Sequence, residues 1–330
     1  GLVNAVLRQL SRNKVHLPRI PDQDALHSLS IRYSHPKWLV RRLIDVIGAE
    51  ETEDYLRMNN EIVPTAIQTN TLKCTAEELE KAGYLEQGKI SQAGLEALEP
   101  YAAKRAVFIA AGFGSRLVPI TLNTPKPLVR VHGKRIIDGL IDACLEAGIR
   151  EIYIVRGYLG EQFDQLLYKY PMIRFLENPL YNEANNISSS LIAKELLKNA
   201  YVFEADLLIS NPKIITKYHY SSDFLAIPVE KTDDWCFEEA DGIITKEKVG
   251  GENCWQMGIS YWDAADGEKL ARDIPEVYTE PEGTQHYWEQ VPLVYRKENY
   301  KVRIRPCRAE DIIEIDTFGE LKAIDRAYDV

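Results

Sequence analysis

The chain has 330 residues, 50 acidic and 40 basic, for a formal charge of −10, a balance that argues against a protein whose main task is coating nucleic acid. No apolar run approaches the roughly 20 residues needed to span a bilayer, and a hydrophobic content of 45% suits a soluble, two-domain globular protein. Five scattered cysteines (Cys74, Cys144, Cys236, Cys254, Cys307) disfavour a zinc site or a disulfide framework and suit a reducing cytoplasm.

The chain opens at Gly1 without methionine, which reads as a processed or partial chain. Leu2, Val6, Leu7 and Leu10 follow helical spacing, and Pro18 and Pro21 end that element. Further helices are expected over Trp38–Ile47, stopped by Gly48, and over Glu50–Met58. Arg8, Arg12, Lys14, Arg19, Arg32, Lys37, Arg41 and Arg42 outnumber Asp22 and Asp24 here. Such charge runs usually face water; contact with RNA is the alternative. Gly83-Tyr84-Leu85, a turn at Gly88, and Gly94 to Leu98 read as the last hairpin and helix of a winged helix.

After Lys104, strands and helices alternate. Ala106–Ala110 is a continuous apolar run entering a glycine turn, as a buried parallel strand would be. Helices are expected over Ile136–Ala147, Gly160–Tyr168 and Ile187–Lys198, and strands over Glu151–Val155, Ile173–Leu176 and Tyr201–Glu204. This rhythm predicts an α/β fold: a Rossmann-like, mainly parallel sheet with helices on both faces and its site at the carboxyl ends of the strands.

The most specific signal is Ala110-Ala111-Gly112-Phe113-Gly114-Ser115-Arg116, continuing to Thr124-Pro125-Lys126-Pro127-Leu128. Glycines directly after a buried strand let backbone amides approach an anion, and a nearby arginine and lysine neutralise a triphosphate. The dinucleotide-binding pattern fails because Leu117 stands where its third glycine belongs, and a Walker loop fails for want of Gly-Lys-Ser/Thr. A lone Gly-x-Gly is more often a structural turn; Arg116 and Lys126 at this spacing favour a phosphate site.

This composite resembles the sugar-phosphate nucleotidyltransferase superfamily. Residues 104–330 as a whole look like the LicC-type CTP:phosphocholine cytidylyltransferases, with Val155-Arg156-Gly157-Tyr158, Asn185-Asn186-Ile187-Ser188-Ser189, Glu204-Ala205-Asp206 and Glu314-Ile315-Asp316-Thr317 among the matching stretches. The resemblance implies that Asp206 and Asp316 hold Mg2+ and that Ala110, Ala111 and Gly112 read the base, with Phe113, Gly114 and Ser115 in the loop and Tyr158, Asn185 and Ser189 close by. Each aspartate ends an apolar stretch, which places its carboxylate at a strand end; the ordinary alternative is a turn or a helix cap. Asn185-Asn186 before Ile187 also suits a helix cap.

The implied reaction is in-line attack of a substrate phosphate on the α-phosphorus of CTP, releasing pyrophosphate. Arg116 is assigned to the β- and γ-phosphates and Lys126 to the α-phosphate and incoming phosphate. Choline recognition calls for aromatic faces and a carboxylate, for which Trp235, Tyr261, Trp262, Asp263, Tyr287, Trp288 and Glu289 are the candidates, with Asp233 and Asp234 nearby; core packing is the ordinary alternative for such aromatics. Phosphoethanolamine, a sugar 1-phosphate or an inositol phosphate are alternative acceptors.

Upstream, Gly1–Arg8, Tyr33-Ser34-His35-Pro36 with Trp38-Leu39-Val40, and Thr69–Lys73 resemble the ribosomal RNA cytosine-5 methyltransferases of the Sun/Fmu (RsmB) type, between a NusB-like domain and the catalytic part. The resemblance is expected to stop near Lys81. Pro306-Cys307 stands in an unrelated context, so methyl transfer is not supported, and an RNA-binding or regulatory role of this region is the alternative of another class. The expected organisation is a helical fragment over 1–81, a winged-helix-like tail over 82–103 and a nucleotidyltransferase domain over 104–330.

Overall fold

The computed structural model describes residues 24–59 and 74–329, in two compact units that meet in the sequence at Ala97 and Leu98. The helix expected over Leu2–Leu10, the basic residues before Asp22 and the Thr69–Lys73 motif lie outside the described residues.

In the first unit, α1 (Ala25–Arg32), α2 (Lys37–Ile47) and α3 (Ala49–Asn59) contribute Leu29, Val40 and Leu56 to a small apolar core. Asp24 caps α1 by accepting from the His27 amide, and Gly48, at φ 88, ends α2 where a side chain would be strained. On α2, Lys37, Trp38, Arg41 and Arg42 are exposed. A Thr75–Glu78 capping box starts α4 (Ala76–Lys81). The hairpin β1 (Leu85–Glu86) and β2 (Lys89–Ile90) then leads into α5 (Gln92–Leu98). Gly94 is required there, since a Cβ would stand 2.3 Å from the Tyr84 carbonyl oxygen.

The second unit opens with β3 (Arg105–Ala110). A short ladder of β4 (Arg130–Val131) and β5 (Lys134–Arg135) precedes α6 (Ile136–Glu146), β6 (Glu151–Arg156), β7 (Arg174–Glu177), α7 (Ile187–Ala193) and β8 (Ala200–Glu204). After β9 (Leu207–Ile209) come the long hairpin β10 (Asp223–Ala240) and β11 (Ile243–Gln256), then β12 (Ser260–Trp262), α8 (Ala264–Thr279), β13 (Arg303–Pro306), β14 (Ile312–Glu314) and α9 (Phe318–Ile324).

Eight strands form one sheet in the order β11-β13-β10-β12-β8-β3-β6-β7. The half built from β8, β3, β6 and β7 is parallel, as the alternating pattern predicts; β12 pairs antiparallel with β8 and β10, so the complete sheet is mixed. Alternation along each strand feeds two cores: Phe108 and Phe203 pack with Leu140 and Ile141 of α6, and Val107 and Val202 pack with Ile187 of α7 and Ile274 of α8.

The segment Gly160–Tyr168 is 3-10 rather than α-helical. Its buried positions, Gly160, Phe163 and Leu166, recur every three residues and align in a 3-10 turn. The helix expected over Ile187–Lys198 closes at Ala193 and tightens into a 3-10 turn over Lys194–Leu196.

Candidate active site

The glycine loop leaves the buried end of β3 and folds back at Gly114, whose φ of 67 lies in the left-handed region. Thr121 Oγ1 donates to the Gly114 carbonyl at 2.9 Å, and a Cβ on Gly114 would stand 3.1 Å from Lys126 Cβ. Gly112 has open space where a side chain would be, which leaves the loop backbone accessible. Tyr158 braces the loop: its amide donates to the Ala111 carbonyl at 3.0 Å, its hydroxyl to the Thr121 carbonyl at 2.9 Å, and its ring meets Phe113 edge-on with centroids 4.7 Å apart.

Asp206 and Asp316 are brought together by the antiparallel ladder of β9 and β14. The pair Leu207 and Glu314 closes that ladder, and the Ile315 amide donates to the Asp206 carbonyl at 3.2 Å. Both carboxylates therefore emerge side by side, 110 residues apart in the chain. Lys126 Nζ donates to Asp206 Oδ2 and to Asp316 Oδ1, each at 2.9 Å, and Arg116 pairs with Asp316 Oδ2 at 2.7 Å. Burial works against the Lys126 ammonium, but Asp206 and Asp316 outweigh it and its pKa is raised. Asp316 is not the helix cap: Thr317 caps α9 in a box with Glu320.

Glu314 joins the two aspartates. One oxygen from each of Asp206, Glu314 and Asp316 lies within 4.8 Å of the others, and Asp206 Oδ1 is buried without a hydrogen-bond partner. Hard carboxylate oxygens converging in this way, with one still unpartnered, fit a magnesium ion. Burial, then the adjacent Asp206 and Asp316 charges, push the Glu314 carboxyl up to about 9.

These groups line a cleft of about 420 Å³ whose remaining wall is Glu204, Asp234, Trp235, Met257, Tyr287 and Glu289. The Trp235 and Tyr287 rings meet at 5.4 Å. Burial, then Glu289 and Asp206, raise the Glu204 carboxyl well above the usual range. A second pocket of about 130 Å³ is lined by Ala111, Gly112, Asn185 and Ser189, together with Asn178. Asn178 Nδ2 donates to the hydroxyls of Ser188 and Ser189 at 3.0 and 2.9 Å, so both serines arrive oriented. Asn185 spans to the Gln285 carbonyl at 3.1 Å, and Asn186, although at the start of α7, makes no side-chain cap; it donates to Glu204 at 3.1 Å.

Among the residues expected at or near the acceptor, Asp234, Trp235, Tyr287 and Glu289 line the cleft and the others do not. Tyr261 and Trp262 are fully buried because β12 lies inside the sheet; Trp262 Nε1 donates to Ser260 Oγ at 3.0 Å, and Tyr261 stacks on His219 at 3.8 Å. Asp263 caps α8 by accepting from the Asp266 amide at 2.9 Å, and Trp288 packs edge-on against Trp262 in the core. Ala110 is buried in the sheet, and Tyr158 supports the loop from outside the second pocket.

Glu204, Glu314, Met257 and Asn178 carry no role in the sequence reading. A signal existed for two of them: Glu204-Ala205-Asp206 and Glu314-Ile315-Asp316 repeat one pattern. Each pair straddles the end of a strand, with Ala205 and Ile315 buried in the cores and the flanking acids on the cleft wall.

Residues 105–229 match the nucleotidyl transferase family, and residues 35–111 match a Methyltr_RsmF/B-like, ferredoxin-like domain, beyond the Lys81 limit expected from the sequence. The chain is 38% identical over 228 residues to a 2-aminoethylphosphonate cytidylyltransferase of Lancefieldella rimae, covering 68% of this chain and 92% of that protein. It is 32% identical over 226 residues to a choline-phosphate cytidylyltransferase of Streptococcus pneumoniae, covering 67% and 96%. The solved CTP:phosphocholine cytidylyltransferase of Streptococcus pneumoniae superposes with a TM-score of 0.63 at 32% identity, over 68% of this chain and 99% of that one. The chain belongs to the nucleotidyl transferase family and is a cytidylyltransferase acting on phosphorylated substrates.

Proposed function

We propose that the protein transfers the cytidylyl group of CTP to a small phosphate or phosphonate with a cationic head, giving the CDP-type product and pyrophosphate. Phosphocholine, the acceptor implied by the sequence resemblance, and its primary-ammonium counterparts belong to this class. The observation that carries the reading is the composition of one cleft. Its phosphate end has Arg116, Lys126 and the Asp206–Asp316 pair; its other wall has Trp235, Tyr287, Asp234 and Glu289.

CTP would place its base against Ala111, Gly112 and Ser189, with the triphosphate along the loop toward Arg116. A phosphate or phosphonate acceptor is largely ionised at neutral pH, so positioning and charge neutralisation carry the rate rather than a strong base. Lys126 would leave the two aspartates to meet the α-phosphate and the incoming oxygen. Asp206 and Asp316, with Glu314 beside them, would hold the magnesium ion, which supplies charge neutralisation at the transferring phosphorus. Aromatic faces and carboxylates suit a cationic head better than the hydroxyls of a sugar.

The test is pyrophosphate release with CTP or UTP crossed with phosphocholine, phosphoethanolamine, 2-aminoethylphosphonate and glucose 1-phosphate. Turnover confined to CTP and the cationic acceptors is expected; turnover with glucose 1-phosphate alone would end this reading. RNA contact through the basic N-terminal region, with Lys37, Arg41 and Arg42 exposed on α2, is the alternative of another class, tested by RNA affinity with and without residues 1–97. The five free cysteines favour a cytoplasmic location.

A further inference from the structure

The smaller pocket, lined by Ala111, Gly112, Asn185 and Ser189, contains a hydroxyl whose direction follows from its neighbours. Asn178 sets that direction. Its side chain is buried, and each of its polar atoms has a partner. The Leu180 amide donates to Asn178 Oδ1 at 2.9 Å, a role that only the oxygen end of the side-chain amide can fill. Nδ2 therefore carries the two N–H groups, and they reach Ser188 Oγ and Ser189 Oγ.

The two serines differ in what remains to them. Ser188 Oγ donates to the Asn185 carbonyl at 2.8 Å, so its one proton is committed. A helical serine hydroxyl commonly donates to the carbonyl three or four residues back. For Ser189 both such carbonyls are occupied: Asn185 accepts the amide and hydroxyl of Ser188, and Asn186 accepts the amides of Ser189 and Ser190. Ser189 Oγ thus accepts from Asn178 while its own proton has no acceptor among the described residues, on a buried side chain that lines the pocket. Buried polar groups are rarely left in this state unless something completes them. What completes a proton is an acceptor. Cytosine offers one at the ring nitrogen N3; in uracil that nitrogen carries a hydrogen and only donates.

We propose that Asn178 is a positioning residue for the choice of base: by donating to Ser189 Oγ it holds that hydroxyl as a donor, which accepts cytosine through N3 and rejects uracil. The inference rests on the placement of the base given above and adds the group that tells the two pyrimidines apart. Cytosine satisfies the Ser189 proton. Uracil leaves it orphaned, and a site built around a hydrogen bond discriminates against a ligand that cannot complete it. The Asn178 amide also donates to the Arg156 carbonyl at 2.8 Å, so β6 holds this residue in place by its backbone as well.

The experiment is calorimetric titration of the full chain and its variants with CTP, UTP and 3-deaza-CTP, whose ring has C–H in place of N3. The wild type is expected to bind CTP at least about tenfold more tightly than either of the others. Ser189→Ala is expected to bring CTP and 3-deaza-CTP within about twofold of one another. Asn178→Asp puts an acceptor where Nδ2 stood, so the Ser189 proton turns toward it and a lone pair faces the pocket. The ratio of CTP to UTP affinity is then expected to fall by at least about tenfold, a change that loosened packing alone would not produce. Should Asn178→Asp fail to fold, Asn178→Ala frees the Ser189 hydroxyl and is expected to narrow the gap between CTP and 3-deaza-CTP. A full gap in Ser189→Ala, or Asn178 variants that weaken all three nucleotides in equal proportion, overturns the proposal. Gly112→Val fills the open space beside the pocket and is expected to weaken all three nucleotides by at least about tenfold. Unchanged binding in that variant overturns the placement of the base, and this inference with it.

Discussion

The Lys126 ammonium donates to the Asp206 carboxylate at 2.9 Å across 80 residues of chain, and to Asp316 at the same distance. One cation therefore holds together two acids that would otherwise repel. All three side chains are largely buried, so the arrangement is sensitive to losing its centre.

Replacing Lys126 with methionine leaves two buried carboxylates facing one another. Stability in magnesium-free buffer is expected to fall by about 3 kcal/mol, as when one partner of a buried pair is removed. Urea unfolding with and without magnesium measures this, and the variant should be stabilised more by the ion than the wild type. Its kcat is expected to drop by about 10² to 10³, the usual cost of losing one preorganised charge.

Asp206→Asn and Asp316→Asn test the metal site directly. Each should lower kcat by at least about 10³ and weaken Mn2+ binding, read by electron paramagnetic resonance. Retention of wild-type Mn2+ affinity in both variants would remove these residues as ligands.

Gly114→Ala forces a side chain into a left-handed position with its Cβ 3.1 Å from Lys126. The expected cost is about 1–3 kcal/mol. A rise in the KM for CTP should accompany it, with the acceptor KM moving less. Thermal unfolding and kinetics on the same preparation separate the two effects.

Trp262 and Trp235 should behave in opposite ways. Trp262→Ala empties a fully buried site between β12 and α8 and is expected to cost about 3–5 kcal/mol. Trp235→Ala removes part of the cleft wall, so its main effect should be on the acceptor KM. Denaturant midpoints beside acceptor kinetics decide the matter; a large acceptor effect in a folded Trp262→Ala protein would contradict its placement.

Glu247 and Glu289 set a pH dependence of stability. Both hold their protons more tightly in the folded chain than at the ordinary value of 4.5, through burial and, for Glu289, the neighbouring Glu247. Their contribution is thus full below pH 4.5 and is lost as pH rises through about 7 and 8. The wild type should lose on the order of 3 kcal/mol per group across this window. Glu247→Gln should flatten the decline, which unfolding midpoints between these limits will show.

Much of the nucleotide half was legible from sequence because its signals are local. A buried strand running into Gly112 and Gly114 needs a backbone turn that only a few residue types allow, and Arg116 and Lys126 follow within a dozen or so residues. The capped helix α6 and the parallel strands also carry their periodicity in short windows. The acceptor wall had no such signature. Trp262 and Trp235 are equally aromatic and lie in equally β-rich stretches, yet β12 is enclosed by β8 and β10 while Trp235 faces the cleft from a bulged hairpin. Which aromatic meets a ligand depends on strand order and register, and pairings between distant segments decide both. The same holds for Glu247: nothing in its local sequence marks it, and only its pairing opposite Phe237 on the long hairpin makes it a buried acid without a donor. Sequence alone singled out Arg116, Lys126, Asp206 and Asp316, which line one side of the cleft; the tertiary structure decided which side chains stand opposite them, because burial and like-charge proximity arise only once distant strands are packed together.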